Sequence, residues 1–112
     1  MTKQMQYGLV FNKKVIGDGR VIPVVTRENY DLDYSVLSFI GRLDKHDTEG
    51  FLHDLNRSIN LRGNSDEGFF SDSVEYMEIL YQYPNVNIDD ILIISMEDMK
   101  GLLEEWHSFI TS

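Results

Sequence analysis

The last quarter of the chain leaves the fewest choices. Ile91-Leu92-Ile93-Ile94 is an unbroken aliphatic run, a pattern that suits a short strand covered on both faces. Ser95 follows where a helix N-cap belongs. Glu97 and Asp98 fall in the first turn, where carboxylates oppose the helix dipole. Met99, Leu102, Leu103, Trp106, Phe109 and Ile110 recur at spacings of three and four, so they share one stripe. Lys100, Glu104, Glu105 and His107 take the opposite face. A buried strand running straight into an amphipathic helix is expected, and the rest of the chain must supply what both cover.

Upstream, the β-forming stretch Gln4 to Phe11 predicts a first strand. Asn12-Lys13-Lys14 and Gly17-Asp18-Gly19 read as turn material. Arg20 to Thr26 predicts a second strand, placed at an edge or bulged because Pro23 cannot donate a ladder hydrogen bond. Leu32 to Leu43 supports two readings. Leu32, Val36, Phe39, Ile40 and Leu43 sit at helix spacing with Asp33 as N-cap, whereas Tyr34 to Ile40 is also strand-like and Gly41 weakens a helix by about 1 kcal/mol. The helix is the preferred reading. A second helix is expected with Thr48 as cap and Phe51, Leu52, Leu55 and Ile59 as its stripe, ended by Gly63. Val74 to Tyr83 predicts a third strand, with Met77, Ile79, Tyr81 and Tyr83 facing inward. Pro84-Asn85 turns the chain, and Val86 to Ile88 leads into the final strand. The expected fold is α+β, in the order ββααββα: a small, mainly antiparallel sheet of about four strands with helices packed on one face. At 112 residues this is a single domain, 1–112.

With no cysteine, disulfides and thiolate zinc sites are excluded, and a reducing compartment is expected. The start, Met1 to Gln6, has no apolar core of signal-peptide length, and no run approaches a membrane span; a soluble cytoplasmic protein is the expectation. The formal net charge is −9, and it is unevenly spread. Residues 1–27 hold Lys3, Lys13, Lys14, Arg20 and Arg27 against Asp18, an excess of +4. The remainder holds five cations against eighteen anions. Direct nucleic-acid binding is disfavoured, because phosphate affinity comes from cations. An acidic surface suits a basic partner.

No reaction motif is present. Gly17-Asp18-Gly19 lacks the glycine spacing and the Lys-Ser/Thr of a phosphate loop and the repeated oxygen ligands of a calcium loop. His46, His53 and His107 lack metal-ligand spacing, so no metal and no cofactor is expected. With no nucleophile or nucleotide motif, the chain reads as a non-enzyme with no catalytic residues. A recognition surface remains. From Ser65 to Glu105 there are eleven acidic residues and one cation, Lys100. Asp66, Glu67, Asp72 and Glu78 have no evident helix-capping duty and lie near Phe69, Phe70 and Tyr76. Carboxylates around aromatic anchors make a plausible face for a basic protein cleft, so Asp66, Glu67, Phe69, Asp72, Tyr76 and Glu78 are the expected partner-binding residues. The alternative is a solvated acidic loop over a core that takes both phenylalanines.

A small, acidic, cysteine-free α+β chain that ends in strand, Ser95, Glu97-Asp98 and the helix with Leu102-Leu103-Glu104-Glu105-Trp106 resembles bacterial immunity proteins of contact-dependent growth inhibition and related polymorphic toxin systems. The likeness covers chiefly Ile91 to Ile110 and leaves the first sixty residues unmatched. It implies binding to a cognate toxin domain, often a basic nuclease whose cleft acidic side chains block. The other class the sequence supports is a small regulatory or scaffold domain that binds a peptide or subunit, as a monomer or as a homodimer through a sheet edge.

Overall fold

The computed structural model describes residues 2–27 and 34–112. In order they form α1 (Lys3–Gln6), β1 (Leu9–Val15), β2 (Val21–Arg27), a 3-10 helix (Tyr34–Arg42), α2 (Lys45–Leu61), a short 3-10 turn (Asp72–Val74), β3 (Ile79–Gln82), β4 (Asn85–Ile88), β5 (Leu92–Ser95) and α3 (Met96–Thr111). The class is α+β as expected. The strands make two antiparallel sheets rather than one: β1–β2 alone, and β3–β4–β5.

The C-terminal helix α3 folds as its sequence dictates. Ser95 Oγ accepts the Asp98 N–H at 3.1 Å, with Glu97 and Asp98 in the first turn. Met99, Leu102, Leu103 and Trp106 are wholly buried, each worth about 1.5–3 kcal/mol of apolar transfer as an upper bound. The Trp106 indole N–H donates to the Leu43 carbonyl at 2.9 Å, so its one polar atom is satisfied in the core. β5 differs from the expectation. Only Ile94 is buried, whereas Ile93 is 60% exposed: this strand is at the edge of its sheet, so one face lies open.

Three further expectations fail for tertiary reasons. Gln4 to Gln6 is helical, because the Glu105 carboxylate on α3 accepts the N–H groups of Lys3 (2.7 Å) and Gln4 (3.0 Å) and Thr2 caps the turn. The same clasp includes the Tyr7 hydroxyl on Asp98 at 2.5 Å and the Lys3 ammonium on Asp98 at 2.7 Å. Both donors hold the Asp98 carboxyl below the usual range, Lys3 first. Asn12-Lys13-Lys14 is strand rather than turn, paired with Ile22, Pro23 and Val24. The cap of α2 is Asp44, whose Oδ1 accepts the Asp47 N–H at 2.8 Å; Thr48 is buried inside the helix with its hydroxyl on the Asp44 carbonyl. At its other end α2 stops where expected, at Arg62-Gly63: Arg62 takes the left-handed conformation and the Gly63 N–H donates to the Ser58 carbonyl at 3.1 Å.

Leu32 and Asp33 lie outside the described residues. Tyr34–Arg42 is helical, in the tighter 3-10 form, and buries Leu37, Phe39 and Ile40. Gly41 lets it approach β2, since a Cβ there would lie 3.1 Å from the Val25 nitrogen. Pro23 sits in a two-stranded ribbon, where its missing donor costs no ladder bond to a third strand. The third strand begins only at Ile79; Ile79 and Tyr81 are buried, Met77 is half-buried and Tyr83 is exposed.

Candidate functional site

The loop from Arg62 to Glu78 is built onto the core through Phe69 and Val74. Phe69 is buried, stacked on Phe51 of α2 at 4.3 Å and 11°. Its N–H donates to the Ile79 carbonyl at 3.0 Å, and the Tyr81 N–H donates to the Glu67 carbonyl at 2.9 Å. Residues 67–69 therefore cover the outer edge of β3. This approach requires Gly68, whose missing Cβ would lie 2.2 Å from the Ile79 oxygen. Phe70, one residue on, points away and is 75% exposed. The pair thus splits, one ring to the core and one to solvent.

Beyond Phe70 the chain makes a compact wall. Ser71 caps the 3-10 turn by accepting the Ser73 N–H, Ser73 donates to Asp47 on α2, and Val74 is buried beneath. The opposite wall comes from the β4–β5 turn. Asp89 and Asp90 both adopt positive φ, at 58° and 55°, and the Ile91 N–H closes the turn on the Ile88 carbonyl at 2.9 Å. Backbone twist of this sign suits a two-strand hairpin, and aspartate tolerates it better than most residues. Asn87 holds the turn from within, accepting the Asp90 N–H and donating to the Asp90 carboxylate, each at 3.0 Å. Asp89 in turn is pinned to Glu78: its N–H donates to the Glu78 carbonyl at 2.7 Å and its carboxylate accepts the Glu78 N–H at 3.1 Å.

Between these walls lies an open groove of about 560 Å3. Its acidic lining is Asp72, Glu75, Glu78 and Asp89; Phe70, Tyr76 and Met77 give it apolar surface, with Phe69 and Val74 below. Among the described residues no Lys or Arg pairs with any of the four carboxylates. The nearby cation, Arg42, lies against the groove's own Tyr76, with its guanidinium 5.1 Å from the ring centre, rather than on a carboxylate. Tyr76 is nevertheless 61% exposed. Four carboxylates beside wet aromatic surface can receive ammonium or guanidinium groups by charge-assisted hydrogen bonds and cation–π contact.

Of the six expected partner-binding residues, the groove brings together Phe69, Asp72, Tyr76 and Glu78. Phe69 belongs to its floor rather than its rim. Asp66 and Glu67 do not line it: Asp66 accepts the Glu67 N–H at 2.7 Å, and the Glu67 backbone secures β3. Glu75 and Asp89 also line it and were assigned no site role from sequence, and Phe70, one of the aromatic anchors read from sequence, stands at its edge. The Asn87-x-Asp-Asp spacing was the available signal for Asp89, since it marks the β4–β5 turn, whose first residue lies beside Glu78 just before β3.

Elsewhere, the Tyr81 hydroxyl donates to Asp54 at 2.8 Å, and burial followed by that bond raises its pKa far above the phenolic range. His107 meets Glu49 at 2.9 Å across α2 and α3. Among the described residues no three His, Asp or Glu side chains converge as metal ligands would, and no helix is long and apolar enough to cross a membrane. No protein family, curated protein or solved structure matches the chain. What the fold and the groove define is therefore a class by geometry: a small α+β domain that presents an anionic, aromatic-edged recess.

Proposed function

We propose that the protein is a stoichiometric inhibitor of the immunity type, which binds a cationic toxin domain, a basic nuclease, and blocks its substrate cleft without chemistry of its own. The observation that carries this reading is the unpaired set Asp72, Glu75, Glu78 and Asp89 around a groove edged by Phe70 and Tyr76. A nuclease cleft is lined by cations that neutralise phosphates. An array of carboxylates on a rigid loop offers the same cations an alternative, with the exposed rings as anchors at its centre. Rigidity comes from the Phe69 stack, the cap at Ser71 and the clasp between Asp89 and Glu78. The test is calorimetric titration against the toxin domain encoded beside its gene, followed by nuclease assay of the mixture. One-to-one binding with loss of nuclease activity is expected; an active nuclease at saturating protein overturns the reading.

A second reading has its own observation. The outer edge of β5 pairs with no described strand, and Ile91 and Ile93 are exposed along it. Such an edge accepts an added strand, as a scaffold or peptide-binding domain would use it. Substitution of Ile93 by lysine separates the two readings, because it blocks strand addition and leaves the groove intact.

A further inference from the structure

The β1–β2 ribbon is the groove's opposite in charge and shape. From Asn12 to Ile22 every residue is exposed except the half-buried Ile16, so the distal half of the ribbon lies largely open to solvent. It meets the body along one side, where Lys13 lies 5.7 Å from the Phe109 ring centre and Val21 and Pro23 share a recess with Ile110. The tip carries the cross-strand pair Val15 and Val21, 67% and 57% exposed, beside Lys14 and Arg20, the latter in an exposed ion pair with Asp18 at 2.7 Å. A two-stranded ribbon is marginal in water by itself, and apolar side chains gathered at a projecting tip are a contact surface in search of cover.

We infer that this ribbon tip docks into the acidic groove of a second copy of the chain, giving a head-to-tail self-association. The complementarity is on both counts: Lys14 and Arg20 face Asp72, Glu75 and Glu78, and the valine pair covers the wet rings of Phe70 and Tyr76. Because the two patches differ, the contact is heterologous and each pair leaves one ribbon and one groove free for further copies. A contact this small is weak and concentration-dependent. The inference rests on the groove being a receptor for cations, not on the identity of any toxin.

Net charge makes the test discriminating. K14E/R20E takes the chain from −9 to −13, and E75K/E78K takes it from −9 to −5, two charges per substitution. If mere self-repulsion governed association, E75K/E78K would associate more than wild type; the docking predicts that both variants lose it, by at least about tenfold. Their mixture regains it, since the reversed ribbon of one fits the reversed groove of the other although both remain anionic. Sedimentation velocity from about 10 to about 500 µM reads this directly in the weak-interface regime. A single wild-type species throughout, stronger association of E75K/E78K, or no recovery on mixing each overturns the inference. Amide chemical shifts of the wild type give a readout that needs no variant. Concentration-dependent shifts at 12–22 together with 69–78 are expected, and shifts confined to one of the two segments contradict the docking. A monomeric wild type that still binds a cationic nuclease through the groove would remove self-association and leave the proposed function standing.

Discussion

Replacing Gly68 by alanine should be among the most damaging single-methyl changes in the chain. A Cβ there falls 2.2 Å from the Ile79 carbonyl oxygen, and real Cβ atoms essentially never come within 3.0 Å of such an atom. The strand and the loop must therefore part by about 0.8 Å or more, and the obstructing atom is backbone, which cannot swing aside. That oxygen accepts the Phe69 N–H at 3.0 Å, and the next rung, Tyr81 N–H to the Glu67 carbonyl, is 2.9 Å. Losing both, at about 0.5–1.5 kcal/mol net each, and loosening Phe69 from its stack on Phe51, worth about 0.5–1.5 kcal/mol beyond area, totals about 1.5–4.5 kcal/mol. Typical domains hold only about 5–15 kcal/mol, so the loss should move Tm down by about 10–20 °C for a chain of this size. Urea unfolding followed by fluorescence of Trp106 measures it. Gly50→Ala is the internal control: Gly50 is exposed within α2 and its Cβ would meet nothing within 4 Å, so the same methyl should stabilise by about 0.5–1 kcal/mol. Equal effects of the two substitutions would refute the reasoning.

Other outcomes follow from the same contacts. Ser95→Ala removes the cap of α3 and should cost about 1 kcal/mol in urea unfolding, with Ser95→Asp recovering most of it. The Asp98 carboxyl is depressed in the folded state, so its contribution is present above its unfolded pKa and is lost as pH falls through and below that value; Asp98→Asn should flatten the acid limb of the stability–pH curve, and an unchanged limb would contradict the clasp. Tyr7 is shifted the other way, first by burial and then by Asp98, so it stays neutral when folded. Stability should therefore decline as pH rises past about 10, where the unfolded phenol ionises, and Tyr7→Phe should remove that part of the alkaline limb.

The helix α3 was legible in the sequence because cap, dipole and apolar period agree there, and the packing of Trp106 and its neighbours did not compete with them. It misled where a distant residue decided the local state. Gln4 to Gln6 has strand propensity, but the Glu105 carboxylate offers its free N–H groups a partner only a helix can use. Val74 to Tyr83 alternates well enough for a long strand, yet the tie between Asp89 and Glu78 and the buried Val74 leave its first five residues as a wall of the groove. The acidic, aromatic character of the site was readable from composition. Its membership was not, because Asp66 and Glu67 are close in sequence but do not line the groove, whereas Asp89 reaches it through the pairing of β3 with β4.

We propose the groove, rather than acidity in general, as the feature that captures the cationic partner. Stopped-flow association with the toxin domain tests it most directly, comparing wild type, E75K/E78K in the groove and D66K/E67K outside it, two pairs that change net charge equally. The account predicts that the groove pair slows association by at least about tenfold at low salt and shortens the complex's lifetime, while the outer pair retains the wild-type lifetime. Equal losses for the two pairs in both rate and lifetime would contradict it.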